Sequence, residues 1–131
     1  MTTTAENSET YTVVADCHCG AVTIEAVLTR GKENYRRCNC SLCRRKGAVV
    51  ASVELNDLRV VDGVENLAIY QWNTKTAKHY FCKTCGIYTH HQRRSNPNQY
   101  GLNTGCIVGF SGVDSADVAL ADGAAMSLIR S

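Results

Sequence analysis

The grouping of the cysteines constrains this chain more than any other feature. It holds eight Cys in 131 residues, and seven of them fall in three short groups. The groups are Cys17-x-Cys19, Cys38-x-Cys40-x-x-Cys43 and Cys82-x-x-Cys85. Cysteines one or two residues apart can place both sulfurs on one ion, and Zn(II) prefers four tetrahedral nitrogen or sulfur ligands. Gly20 and Gly86 directly follow two groups, where a residue without Cβ can turn backbone N–H groups toward thiolates. The pattern therefore predicts metal sites.

Seven sulfur ligands divide naturally into four and three, which predicts two Zn(II) ions. Four ligands close a structural site, whereas three leave a position open for water or substrate. Spacing alone does not say which groups join. The run from Cys38 to Cys43 is the natural self-contained set, which leaves the other two groups to form the closed site. In so small a domain, such a closed site would contribute much of the folding free energy.

A disulfide scaffold, the alternative to a metal site, is disfavoured by the expected compartment. No apolar run approaches the roughly 18 residues that span a bilayer. The first residues, MTTTAENSETYTVV, lack the basic and apolar regions of a secretory signal. We therefore expect a cytoplasmic protein with no membrane partner, in a compartment that keeps thiols reduced. In that setting, clustered cysteines more often ligate metal than form disulfides.

The hydrophobic pattern indicates a mainly β fold with little helix. Val22, Ile24, Ala26 and Leu28 recur with the period of two that is typical of a half-buried strand. One helical turn is expected after Ser41, its N-cap, with Gly47 ending it. With 44% hydrophobic and 20% charged residues, the composition excludes general disorder. We expect a disordered tail over 1–10 and a single zinc-binding domain over 11–131.

Three motifs carry a resemblance to a known family. They are Cys-His-Cys-Gly-Ala-Val from Cys17, Cys-Asn-Cys-Ser-Leu-Cys-Arg from Cys38, and His-Tyr-Phe-Cys-Lys-Thr-Cys-Gly from His79. Together they resemble the glutathione-dependent formaldehyde-activating enzyme (GFA) family. The later run Arg-Arg-Ser-Asn-Pro over 93–97, with Cys106 beyond it, resembles the centromere protein V-like branch. The similarity covers 11–110.

The resemblance implies a β-tent fold, in which two curved antiparallel sheets are held together by zinc. It implies a structural zinc site formed by Cys17, Cys19, Cys82 and Cys85. It also implies a catalytic zinc held by Cys38, Cys40 and Cys43. The family's reaction joins glutathione to formaldehyde to give S-(hydroxymethyl)glutathione and is classed with the carbon–sulfur lyases. The expected partner is therefore a glutathione-like thiol adduct.

An open three-Cys zinc site suits this chemistry, because coordination stabilises a thiolate over a thiol. A general acid must then deliver a proton to the oxygen of the aldehyde. The candidates flank the second Cys-x-x-Cys: His79, Tyr88, His90 and His91. His79 and Tyr80 occupy opposite faces of a predicted strand, and the two adjacent histidines also point two ways. Some of these side chains are therefore expected to pack rather than to act.

Basic residues beside the cysteine groups are candidates for binding substrate carboxylates. Arg44 and Arg45 follow the three-Cys run, and Arg93 and Arg94 follow the second hairpin. Guanidinium groups make bidentate contacts with carboxylates, although a solvated basic face explains the same pattern. Cys106 stands apart and is expected to be a small buried hydrophobic residue. The alternative is that Cys106 or a histidine closes the second metal site.

A non-catalytic function is the alternative: a zinc-stapled module that binds nucleic acid or a protein partner, with both zinc ions structural. The formal net charge is +2. Zinc ions held by four and by three thiolates contribute −2 and −1, which turns this charge into −1. A nucleic-acid partner is therefore not expected, since phosphate binding depends on a surplus of Lys and Arg.

Overall fold

The computed structural model describes residues 9–72, 75, 77–94, 96–110 and 118–121. Within these residues the chain is mainly β, as predicted, with a single α-helix, α1 (Ser41–Lys46). No helix in this part of the chain is long and apolar enough to cross a membrane. The strands are β1 (Thr10–Asp16), β2 (Thr23–Thr29), β3 (Arg36–Cys38), β4 (Val50–Glu54), β5 (Leu58–Asp62), β6 (Leu67–Tyr70), β7 (Lys78–Cys82), β8 (Tyr88–Gln92), β9 (Gln99–Asn103) and β10 (Ala119–Ala121).

These strands form two sheets. The smaller has the order β1-β2-β5, and the larger has the order β10-β3-β4-β9-β8-β7-β6. All neighbouring strands are antiparallel except β10 and β3, which are parallel. The larger sheet thus places β3, which carries the first cysteine of the three-Cys run, in one sheet with the hairpin β7–β8.

The hydrophobic core combines residues from both sheets. The period-two alternation predicted for β2 is confirmed, because Ile24, Ala26 and Leu28 are at most 1% exposed. They belong to one buried cluster with Val53 of β4 and Leu102 of β9. Burial of this apolar surface between the sheets stabilises the fold.

The first strand begins earlier than the sequence suggests. Thr10, which we expected in the tail, is the first residue of β1 and pairs with Thr29. Its pairing with a neighbouring strand satisfies backbone groups that a tail would leave to water. The rest of the predicted tail, 1–8, lies outside the described residues.

The register of the larger sheet brings four positions of different strands into one row. Ser52 of β4 lies opposite Gly101 of β9, Gly101 opposite His91 of β8, and His91 opposite His79 of β7. A Cβ atom added at Gly101 would lie 2.5 Å from Cε1 of His91. Glycine at this position therefore makes room for the imidazole ring. Because side chains alternate along a strand, His90 and Tyr80 belong to the opposite face.

Candidate metal centre and its polar surroundings

Four cysteines from two hairpins form a closed cluster. The Sγ atoms of Cys17, Cys19, Cys82 and Cys85 all lie within 4.8 Å of one another. Two of the sulfur–sulfur distances, from Cys19 to Cys17 and to Cys82, are 3.7 Å. A tetrahedron with metal–sulfur bonds of about 2.3 Å has edges of about 3.8 Å. The four residues therefore fit a Zn(II) ion.

Donor groups around the closed cluster suit thiolates. The backbone N–H of Val22 donates to Sγ of Cys17 at 3.3 Å, and the backbone N–H of Thr84 donates to Sγ of Cys82 at 3.3 Å. Asn66 Nδ2 adds a bond to the same Cys82 sulfur at 3.2 Å. Backbone hydrogen bonds, chiefly that of Cys85, lower the pKa of Cys82 to about 6. Since the first hairpin belongs to the smaller sheet and the second to the larger one, a metal ion here links the two sheets.

The remaining three grouped cysteines form a second cluster where β3 meets α1. The Sγ atoms of Cys38, Cys40 and Cys43 lie within 4.8 Å of one another. Cys40 is the N-cap of α1, and its sulfur accepts a hydrogen bond from the Cys43 backbone N–H at 3.3 Å. The prediction that Ser41 is the N-cap was wrong, because the sulfur of the preceding residue already takes that N–H. Gly47 ends the helix with φ of 66°, as expected.

The hydrogen bonds within this cluster favour one negative charge. Side-chain hydrogen bonds from Cys38 and Cys43 lower the pKa of Cys40. Side-chain interactions with Cys38 and Cys40, together with burial, raise the pKa of Cys43. A zinc ion would replace the shared protons, since metal binding deprotonates all of its thiol ligands. The three residues thus fit a metal ion with one coordination position left over.

Within the described residues, no fourth His, Cys, Asp or Glu atom joins these three sulfurs in one cluster. Cys106, the proposed alternative ligand, lies in a 3₁₀ turn over Thr104–Cys106 and is 7% exposed. Its sulfur donates to the Tyr88 carbonyl oxygen at 3.6 Å. Burial raises the pKa of Cys106 to about 11, so it stays a thiol at neutral pH. It therefore behaves as the expected buried residue.

Lys46 at the end of α1 stands beside this cluster, and sequence reasoning did not select it as a proton donor. Its Nζ lies 2.7 Å from Nδ1 of His79 and 3.6 Å from the centre of the Tyr88 ring. Burial lowers its pKa to about 8, while its electrostatic interaction with the three-sulfur cluster acts in the opposite direction. Its spacing of three residues from Cys43 places both on one face of the helix, and that spacing was the available signal.

Three of the four candidate proton donors surround Lys46. The rings of His79 and His91 stack with centres 5.1 Å apart, and Tyr88 Oη lies 2.5 Å from Nδ1 of His91. Burial, helped by the charge of Lys46, lowers the pKa of His79 to about 4 and that of His91 well below its usual value. Burial also raises the pKa of Tyr88. At neutral pH these three side chains are therefore uncharged, and Lys46 carries the charge.

The fourth candidate, His90, lies on the other face of the sheet. It is 3% exposed, stacks on Tyr80 with ring centres 4.5 Å apart, and meets Tyr100 edge-on. Thr89 Oγ1 lies 2.9 Å from its Nδ1. Burial lowers the pKa of His90 to about 4. Its contacts are those of a packed side chain, because adjacent strand residues face opposite ways.

The four candidate arginines occupy different surroundings. Arg44 and Arg45 are exposed on α1, and Arg45 Nη1 donates to the helix's own Ser41 carbonyl oxygen at 2.7 Å. Arg94 is half-buried. Arg93 is also half-buried, and its charge contributes to lowering the pKa of His91. Arg93 thus acts electrostatically on one of the side chains around Lys46.

Arg36 is a further cation near the second cluster that sequence reasoning missed. Its Nη1 donates to Ser52 Oγ at 2.7 Å and to the Asn34 carbonyl oxygen at 3.2 Å. Its Nη2 is buried and has no hydrogen-bond partner among the described residues. Burial and the nearby charge of Arg93 lower the pKa of Arg36 to about 10, so it remains charged at neutral pH. Its position two residues before Cys38 on a strand, hence on the same face, was the available signal.

Comparison with known proteins places this geometry in a family. Residues 12–116 match the family model described as glutathione-dependent formaldehyde-activating enzyme. A Halomonas elongata protein of the same family name is 35% identical over 77 residues, which are 53% of this chain and 48% of that protein. The match thus spans about half the length of that relative. A crystal structure of a Rhodobacter sphaeroides protein is 56% identical, with a TM-score of 0.76, and the alignment covers 82% of this chain and 98% of that one.

Proposed function

The chain belongs to the glutathione-dependent formaldehyde-activating enzyme family, and on this premise we propose that it is a zinc-dependent enzyme of the carbon–sulfur lyase type. Its substrate is a glutathione-like thiol with formaldehyde or another small aldehyde, and its product is the thiol adduct. The observation that carries this proposal is the three-sulfur cluster of Cys38, Cys40 and Cys43 beside the hydrogen-bonded pair Lys46 and His79.

We assign two Zn(II) ions different roles. The ion held by Cys17, Cys19, Cys82 and Cys85 is structural, because four sulfurs complete its coordination. A zinc ion held by the other three cysteines supplies, when bound, the positive charge that ionises a substrate thiol at neutral pH. Both clusters require reduced thiols, and all eight cysteines are free. A reducing compartment such as the cytoplasm maintains that state.

Residues of the protein donate and accept the proton in this reaction. As the sulfur of the thiol forms a bond to the aldehyde carbon, the carbonyl π pair moves to oxygen, which needs a proton. The ammonium group of Lys46 donates that proton, and its neutral amine then takes up the proton released by the thiol. The overall reaction therefore consumes and releases none. With a pKa of about 8, Lys46 can serve both steps near neutral pH.

His79, Tyr88 and His91 orient this proton donor. Because the Lys46 ammonium donates to Nδ1 of His79, that ring carries its own proton on Nε2. The Tyr88 ring lies under the charge of Lys46 and holds it by a cation–π contact. His91 stacks on His79 and bonds Tyr88, which limits the movement of both. We propose these three as positioning residues and His90 as a packing residue.

Arginines provide the best candidates for holding the carboxylates of a glutathione-like substrate. Arg93 is half-buried and its charge lowers the pKa of His91, so it is the first candidate for binding a substrate carboxylate. Arg44 and Arg45 are exposed on α1 and Arg94 follows Arg93, so they are proposed for the outer part of the substrate. Carboxylate contacts of this kind are stronger than hydrogen bonds between neutral groups.

Native mass spectrometry with glutathione tests the proposed function. We expect two zinc ions per chain and a bound glutathione, together with a faster exchange between formaldehyde and its glutathione adduct in ¹³C NMR than in buffer. Cys38→Ser should abolish that acceleration, while its circular dichroism spectrum should remain that of the folded protein. Cys106→Ser, a change of a cysteine outside both clusters, is the matched control and should retain it. If the chain held two zinc ions and bound no thiol, the result would instead favour the non-catalytic binding module.

A further inference from the structure

The charged side chains beside the second cluster give the site a positive net charge. Three thiolates with Zn(II) carry a net charge of −1. Arg36 and Lys46 contribute two positive charges. Among the residues that the structure describes, no carboxylate lies within 4.0 Å of the charged groups of Arg36 or Lys46. The sulfur centre with Arg36 and Lys46 therefore sums to +1, and the nearby charge of Arg93, which acts on Arg36, makes the surroundings more positive still, so the site favours one more anion.

Arg36 is held as a fixed charge rather than as a mobile surface group. One nitrogen of its guanidinium is tied to Ser52 Oγ and to the Asn34 carbonyl oxygen, and the other is buried with no partner. A buried cation costs free energy unless an opposite charge compensates it. Arg36 lies two residues before Cys38 on β3, so both side chains share one face of the strand, and the cluster interacts electrostatically with the guanidinium. The positive charge of Arg36 therefore acts on the sulfur cluster.

Lys46 is held beside the same cluster by contacts with β7 and β8. Its Nζ is anchored by His79 Nδ1 at 2.7 Å and by the Tyr88 ring at 3.6 Å. Neither contact removes its charge, because an imidazole nitrogen and an aromatic face are both neutral partners. Its charge and those of the three cysteine sulfurs interact favourably. Two cations on different elements, β3 and α1, therefore act on one centre.

We propose that Arg36 and Lys46 together make the centre of Cys38, Cys40 and Cys43 selective for an anionic fourth ligand, a thiolate, over a neutral donor such as imidazole. This inference rests on the proposed function and names the chemical class of its ligand. A nearby positive charge stabilises an incoming anion by Coulomb attraction but has little effect on a neutral ligand. Selectivity between two such ligands therefore reports the charge balance directly.

The test uses the full chain loaded with Co(II) and titrated separately with 2-mercaptoethanol and with imidazole. The visible spectrum reports the fourth ligand in each case. Arg36→Met and Lys46→Met should each weaken thiolate binding by on the order of tenfold. Imidazole binding should stay within about threefold, as expected for a neutral ligand. Arg36→Lys keeps the charge and should keep thiolate affinity. Arg59→Met, which removes an exposed cation of the smaller sheet, is the matched control.

The outcomes separate this inference from the proposed function. If the unaltered protein binds no thiolate, the proposed function fails. If it binds thiolate and both Met variants bind it equally well, only the charge selectivity fails. An equal loss of thiolate and imidazole affinity would mean that the two residues support the structure of the site, which also overturns the inference. Should Arg36→Met not fold, Lys46→Met alone decides, since it lies on a different element.

Discussion

The Nζ atom of Lys46 lies 2.7 Å from Nδ1 of His79, although the two residues are 33 positions apart in the chain. Lys46 ends the helix that carries Cys43, and His79 lies on β7. The contact joins the three-sulfur cluster to the hairpin that carries Cys82 and Cys85. Burial, helped by the charge of Lys46, lowers the pKa of His79 to about 4. At neutral pH the positive charge of this pair is therefore on Lys46.

Replacing Lys46 should therefore impair chemistry without removing metal. Lys46→Met is expected to lower the rate of adduct formation by roughly 10²-fold, the usual contribution of a positioned proton donor. Zinc content should stay at two ions per chain, because no metal ligand changes. The measurement is exchange NMR together with metal analysis. Arg59→Met, which removes an exposed cation of the smaller sheet, is the control, and an equal loss in both variants would contradict the role of Lys46.

A methyl group at position 101 should displace His91. In Gly101→Ala the new Cβ would lie 2.5 Å from the His91 ring, so the ring or the strand must move. Overpacking of this kind costs roughly 1–3 kcal/mol of unfolding free energy. The double variant Gly101→Ala, His91→Ala should be less destabilised than the sum of the single changes. Urea unfolding of all four proteins gives this coupling, and simple additivity would show that the two sites do not interact.

Burial of His90 predicts a dependence of stability on pH. Its pKa is about 4 in the folded chain and about 6.5 when unfolded, so the unfolded state binds more protons between these values. Stability from this group is therefore complete above the unfolded pKa and is lost as pH falls below it. Between about pH 7.5 and about pH 5.5 the loss is roughly 1 kcal/mol.

Urea unfolding of His90→Phe at the same two pH values isolates this contribution. The variant keeps the aromatic stacking on Tyr80 and lacks the titrating group. Its loss of stability on acidification should be smaller than that of the unaltered protein by roughly 1 kcal/mol. The other buried histidines and both cysteine clusters titrate in the two proteins alike. Equal pH dependence would show that the pKa of His90 is the same in the folded and the unfolded chain.

The two cysteine clusters should differ in what their loss does to the fold. Cys82→Ser removes a buried sulfur that joins the two sheets, so we expect a loss of several kcal/mol in unfolding free energy. Cys38→Ser affects a cluster within the larger sheet and α1 and should cost less. Chemical unfolding and metal analysis of both variants compare their free energies of unfolding and their zinc contents. A greater loss of stability from Cys38→Ser would reverse the structural assignment of the two sites.

Much of the fold was predictable from local patterns. The alternation in β2, the glycine that ends α1 and the grouping of seven cysteines are all readable along the chain, because each depends on neighbouring residues. The division of the cysteines into four and three agrees with the two clusters of the structure. The first residue of β1 and the N-cap of α1 were missed, since strand pairing and a sulfur acceptor decided them.

The sequence by itself determined the chemistry available to this protein: two sets of sulfur ligands, nearby histidines and a supply of cations. Only the tertiary structure decided which of these groups meet. Sheet register placed His79 and His91 together and turned His90 away, and packing set Lys46 against His79 while Arg44 stayed exposed. The physical reason is that the spacing of the ligands and of their neighbouring cations is local, whereas the side chains that contact Lys46 come from strands that pair across long stretches of chain.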